Sequence, residues 1–382
     1  MRQWLSIVLR ELKTIFSDAR VWLIMLLGPF FYALLFGAVY WNGRVREVPT
    51  IIIDQDHSRL SRDLASAINA SDSLSVIGYG TSVSDFEQAV KRGRAYTCVY
   101  IPSNFERDLK KGHQVKVAVL VDGSNTLIGN VGFRALRTVF ATYRVGVRER
   151  RLMATGIPRS VVDDNAMPVR AEVRPIFNPA YNYSTFLLMG LTCIALQQVT
   201  MLGAAISLGL ESDRRKRRSL VQISRSPVKV LLGKLTAHML ITVPLALVAI
   251  RVPFSLFGTS FHGSWPLVLW VTALFVTVQV LSGFGIAGLC GTSLLSAQVL
   301  LAISVPIFIL SGFTWPAMAM PTWLQKVGLS LPITHFADMV RKVSLMGASA
   351  DMVRRQITAI AVWLPISVIW AYWGVRRFLR LS

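Results

Sequence analysis

Acidic residues are scarce in this sequence: 20 Asp and Glu stand against 41 Lys and Arg, a formal charge of +21 over 382 residues. Charge of either sign is itself sparse, at 16% of residues against 53% apolar. That balance is too apolar for an ordinary soluble protein and suits a chain with several membrane spans. Cysteine is nearly missing. Cys98 is alone in the polar region of the chain, so that region has no internal disulfide and must be held by its own core. No G-x-x-x-x-G-K-[ST] loop occurs, so the chain lacks the backbone cradle for ATP phosphates, and uphill work would draw on a partner or an ion gradient. Zinc-ligand spacing, a G-x-S-x-G elbow and paired carboxylates among the apolar runs are also missing, which leaves no catalytic residue and no metal site to nominate. Ionisable residues inside apolar runs are limited to His238, with Lys234 and Arg251 at run ends, a thin basis for a proton relay.

What the sequence has in abundance is charge-free length. A spanning helix needs about twenty apolar residues, because lipid offers backbone groups no water. Val21–Tyr40 meets this, and no small-residue cleavage site follows it, so it reads as a retained helix. Phe177–Leu210 is a second run. Leu235–Ile250 spans if Val230–Gly233 join it and its flanking Lys234 and Arg251 snorkel to the interfaces. Val252–Gln325 holds no charge and is long enough for two helices, joined at the polar turn 291–298. Gln356–Val375 completes six expected spans.

The fold class expected is therefore a mostly α-helical integral membrane protein with six spans and an α/β domain inserted between the first and second. The expected division is an amphipathic interfacial helix over 1–20, span one over 21–40, the insert over 41–180, span two over 181–210, a loop over 211–228, and spans three to six over 229–382. The first segment alternates Trp4, Leu5, Val8, Leu12, Ile15 and Phe16 with a polar side containing Arg2, Arg10 and Lys13. Basic residues before span one, in the 211–228 loop and after span six (Arg376, Arg377, Arg380) share one face, which positive-inside bias makes cytoplasmic. Both termini are then cytoplasmic and the insert is external.

In the insert, PTIIID, YTCVYIP and VKVAVLVD read as strands, while 58–70, 82–93 and 125–150 read as helices. Ser58 is an expected helix cap, and Ser84 with Glu87 an expected capping box. Asp54, Asp56 and His57 follow a strand and read as turn residues rather than metal ligands.

Polar side chains within the spans, Gln197, Gln198, Gln279, Ser282 and Ser304, are a candidate cargo path, with interhelical hydrogen bonding as the competing role. Gly283, Gly285 and Gly288 read as helix-packing positions. Between spans five and six, Pro316, Pro321 and Pro332 interrupt helix continuity, and broken helices at membrane depth persist only where protein or a cavity surrounds them. With Trp323, His335 and Phe336 they form a candidate external gate, in which His335 could pair with Asp338. The run Arg214–Arg218 could contact anionic lipid or protein; a short inter-span loop offers no folded nucleic-acid reader. The apolar SLVQI that follows reads as a short surface helix.

These residues together resemble the type 2 ABC exporter permeases with one span, a large external domain and then five spans. Arg218-Ser219-Leu220-Val221-Gln222-Ile223 with Ser226-Pro227 resembles the family's coupling helix, departing from it at Arg218 and Val221. Leu310–Ala348 resembles its external re-entrant segment, placed here at 312–348. The resemblance implies that Glu211, Arg218, Ser219, Leu220, Gln222, Ile223 and Pro227 dock a cytoplasmic ABC ATPase. That ATPase would use ATP and Mg, with no cofactor bound by this chain. A second permease as homo- or heterodimer, a periplasmic adaptor and membrane lipids are the other implied partners, and a bacterial inner membrane the implied location. The expected role is outward movement of amphipathic cargo: drug, lipid or glycoconjugate. The alternatives are a non-transporting scaffold or sensor and a membrane transferase using Asp338 or His335.

Overall fold

A computed structural model describes residues 2–41, 44–154, 178 and 182–380. The chain forms two units, one of Met1–Gly43 with Pro175–Ser382, the other of Arg44–Arg174. The expected approach to span two, from Phe177 to Asn182, falls largely outside the described residues.

The first unit is helical. It begins with α1 (Arg2–Ser17), α2 (Ala19–Trp22), a π turn over Leu23–Leu27 and α3 (Gly28–Val39). It continues with α8 (Tyr183–Gly209), α9 (Arg214–Ile223), α10 (Pro227–Leu256), α11 (Trp265–Cys290), α12 (Ser293–Leu310), α13 (Thr322–Ser330), α14 (Pro332–Met346) and α15 (Arg354–Arg380). Among the described residues five helices are long and apolar enough to cross a membrane, namely Leu187–Ser212, α10, α11, α12 and α15, beside the shorter apolar Leu23–Val39.

Local chemistry explains the breaks. Pro227 and Pro332 sit in the first turns of α10 and α14, where a missing N–H costs nothing. Thr292 caps α12, its side chain accepting from Leu295 N, so the joint between α11 and α12 is tighter than the expected 291–298 turn. Gly291, at φ 79°, ends α11 in the left-handed conformation.

Within this unit α8 and α11 are the inner helices and α12 and α15 have outer faces. Close approach depends on α11's glycines. A Cβ on Gly283 would lie 2.6 Å from Met201 O of α8, and one on Gly288 only 2.2 Å from Gly374 Cα of α15. α1 departs from a purely interfacial helix. It buries Ile7, Val8 and Ile15 in the unit's core, with Ile7 against Gly233, and leaves Leu5, Leu9 and Phe16 exposed.

The second unit is α/β. β1 (Val48–Asp54), β2 (Leu74–Tyr79), β3 (Thr97–Ile101) and β4 (Ala118–Val121) form a sheet ordered β2-β1-β3-β4, with β1 parallel to β2 and β3 and β4 antiparallel to β3. α4 (Arg59–Asn69), α5 (Val83–Lys91), α6 (Phe105–Lys111) and α7 (Thr126–Ala154) complete it. Alternation along β1 puts Ile52 into one apolar cluster with Leu64, Ile68 and Leu136, and Ile51 and Ile53 into another with Phe86 and Cys98.

Ser58 caps α4 as expected, accepting from Ser61 N. The α5 capping box is Ser82 with Asp85, not Ser84 with Glu87. Thr81 and the backbone amides of Thr81 and Ser82 donate to Asp85 and hold its carboxyl below the usual range. Asp54 accepts from Asp56 N, His57 N and Ser61 Oγ, and Asp56 from Glu106 N, so these carboxylates build turns and caps.

Candidate functional site

The densest polar arrangement in the helical unit lies where α1, α8, α9 and α10 meet. Arg10 and Glu11 are neighbours in α1 and diverge by about 100°, so Glu11 enters the core with Ile7 and Ile15 while Arg10 lies beside that face, half-buried. Arg10 forks onto Glu211, Nη1 to Oε1 at 2.8 Å and Nη2 to Oε2 at 3.0 Å. The same guanidinium donates to Lys216 O at 2.6 Å and Ser219 Oγ at 3.2 Å. One side chain thus ties α1 both to the turn Leu210–Ser212 that follows α8 and to two residues about one turn apart in α9, a geometry that a planar five-donor group suits and a lysine would not.

Beneath it, Lys234 of α10 is wholly buried, with Nζ 2.5 Å from Glu11 Oε2 and 3.2 Å from Glu211 Oε1. This corrects the expectation that Lys234 snorkels to the interface. Its ammonium is turned inward because two buried carboxylates replace the hydration it loses there. Ser207 of α8 donates to Glu11 as well. His238, one turn along α10, brings Nε2 to 3.3 Å from Glu11 Oε1 while its ring packs edge-on to Phe284. Two cations and two carboxylates balance in a core that also holds an imidazole.

The cluster fixes the orientation of α9. Asp213 caps this helix, accepting from Arg215 N, and Leu220 is buried at 1% exposure in the core of the helical unit. Ile223 is half-buried against the same core. Leu220 and Glu211, both nominated for docking, are buried inward anchors within this unit. Pro227 is half-buried, starting α10. The exposed side carries Arg214, Arg215, Arg218, Ser219, Gln222 and Arg225. This is a rigidly mounted cationic face, suited to an acidic protein surface.

The other nominated residues do not converge. Gln197, Gln279 and Ser282 are buried between helices. Gln198 Nε2 donates to Leu300 O of α12 at 3.3 Å, and Ser304 Oγ to Leu301 O of its own helix at 2.8 Å. The Gln198 contact is of the interhelical kind set against a cargo path, whereas that of Ser304 stays within its own helix.

In the 312–348 segment, Pro316 precedes a 3-10 turn over Ala317–Ala319, Pro321 precedes α13, and Pro332 opens α14. Trp323 is 65% exposed, whereas Phe336 is buried and stacked on Phe275 of α11, ring centroids 3.9 Å apart. His335 does not pair with Asp338. Its Nε2 lies 2.8 Å from Leu329 O, while Asp338 bonds Arg341, Lys342 and Gln356, joining α14 to α15.

Sequence reading missed Arg10, Glu11 and Ser207 as cluster members. One available signal was Glu11 itself, a carboxylate in line with Val8 and Ile15 on the apolar side of α1, whose burial needs a cation.

Residues 19–374 match the model of the ABC-2 family transporter proteins. Among curated proteins, the chain is 22% identical to a probable multidrug ABC transporter permease, YbhR, of Escherichia coli K12, over 98% of both chains. It is 22% identical to the inner membrane transport permease YhhJ of the same organism, over 95% of this chain and 94% of that one. It is 20% identical to YbhS, another probable multidrug ABC transporter permease from that strain, over 90% and 88%.

Proposed function

The chain belongs to the ABC-2 family of transporter proteins, and from that premise we propose that it is the membrane permease of an ATP-driven exporter. In this reading a separate cytoplasmic ATPase, using ATP and Mg, docks on the exposed face of α9 and moves amphipathic cargo outward through a dimer of six-span permeases in a bacterial inner membrane. The span count, the external position of the α/β unit, the dimer and a periplasmic adaptor belong to the same proposal.

The observation that carries it is the mounting of α9. A helix that only marked topology would need positive charge and nothing more. Here Arg10 ties α9 to Glu211, just past the end of α8, and Leu220 is buried in the core that includes Val230 and Leu231 of α10. A push on its basic face therefore passes directly to two candidate spans. Multidrug relatives support an amphipathic cargo class.

The direction is tested with inside-out membrane vesicles containing the permease and its ATPase, loaded externally with an amphipathic dye. ATP-dependent dye accumulation in the lumen is expected. Accumulation that is independent of ATP, or absent while ATPase activity is normal, contradicts export.

A further inference from the structure

The α/β unit contains a groove of about 910 Å³ between α6, α7 and the chain leading into β4, within the range of small-molecule sites, ~300–1,000 Å³. One wall is a single stripe of α7 in which apolar and basic residues alternate: Phe133, Arg137, Phe140, Arg144 and Val147. Spacings of three and four put all five on one helix face, and at 1.5 Å rise per residue the stripe runs roughly 21 Å. The facing wall supplies Leu109, Val115 and Val117, with Lys116 between the two valines.

The lining holds three cations and no carboxylate that could bind them. Arg137, Arg144 and Lys116 form no ion pair among the described residues. Arg150, farther along the same helix, does pair, with Asp63 at 3.4 Å. Phe133 is 50% exposed beside these charges. An apolar floor wants a hydrocarbon, and unpaired guanidinium groups want an anion with fork-compatible oxygens.

We propose that this groove binds a single-chain amphipathic anion, its tail along the Phe133–Phe140–Val147 stripe and its carboxylate held by Arg137 and Arg144. The arginine stems would cover the tail while their heads meet the carboxylate. The site lies wholly within the α/β unit and does not depend on the transport reading.

The test uses the full chain in nanodiscs of zwitterionic lipid, with 11-(dansylamino)undecanoic acid as probe and empty nanodiscs subtracted. Saturable emission enhancement is expected, displaced by laurate. Affinity should fall about tenfold or more in R137E/R144E, the scale of a lost charge-assisted pair, and fall less in R137K/R144K, which keeps the charge and loses the fork. The corresponding dansyl alcohol should bind about tenfold more weakly. Equal affinity for acid and alcohol overturns the proposal, as does unchanged binding in R137E/R144E. Displacement by phosphatidylglycerol added to the nanodisc but not by laurate overturns the single-chain assignment in favour of a bilayer lipid.

Discussion

Lys234 and Glu11 illustrate how burial changes the meaning of a charge. Removing one partner of a buried ion pair strands the other and costs about 3–5 kcal/mol, whereas replacing both with apolar groups is often neutral or better. K234M in the full-length protein should therefore lower thermal stability markedly in a detergent unfolding assay, and E11L/K234M should recover most of the loss, since Arg10 and Glu211 still pair. Equal destabilisation by the single and double variants would show that the cluster is not held by charge balance. At the same scale, R10K keeps the charge but loses the fork that reaches Glu211, Lys216 O and Ser219. It should loosen α9, seen as faster amide exchange over 214–223 with little change elsewhere.

At the scale of elements, the two ends of the 312–348 segment differ in kind. Phe336 stacks on Phe275 in the core, so F336A should cost about 3–5 kcal/mol. Trp323 is largely exposed, and W323A should stay within about 0.5 kcal/mol, both read as shifts in unfolding of the full chain. The close contact of α11 with α15 predicts that G288V forces those helices apart and lowers stability, because any Cβ there meets the backbone of Gly374.

Most elements were legible because their signals are local. Charge-free length announced α8, α10, α11, α12 and α15, and β-branched runs announced β1, β3 and β4. β2 was missed: Ser75 and Gly78 interrupt its apolar run, and it is secured instead by parallel pairing with β1, with a register shift between Thr50 and Ile51. The capping box moved two residues because Ser82 and Ser84 carry the same chemistry, and only the chain's path from Gly80 selects between them. The ion cluster was illegible for a stronger reason. Glu11 and Lys234 are 223 residues apart, and nothing local to either says that they meet. The lysine's place at the end of an apolar run suggested a route to water, which the carboxylates of two other elements made unnecessary.

For the whole molecule, membership of the ABC-2 family and the mounting of a basic helix on a buried ion cluster converge on one account. In the function proposed above, a cytoplasmic ATPase would engage the exposed residues of α9, and the cluster would pass its movement to α8 and α10. Arg218 and Val221 depart from the pattern of the coupling helix that this segment resembles; Arg218 is exposed among other cations, so on the proposed reading the partner surface should be acidic and binding should weaken as salt rises. The inward-facing Leu220 makes a separate prediction. L220A should destabilise the permease by about 2–5 kcal/mol without adding to the loss of partner affinity caused by surface charge reversal.

The central claim is tested most directly by purifying the tagged full-length protein from its native membrane in mild detergent, after crosslinking, as wild type and as R215E/R218E. The account predicts that a P-loop ATPase accompanies the wild type, that its yield falls about tenfold or more with R215E/R218E, and that both forms are equally stable. Absence of any ATPase from the crosslinked wild type would contradict the account and favour a scaffold or sensor. Undiminished capture by R215E/R218E would remove α9 as the docking surface.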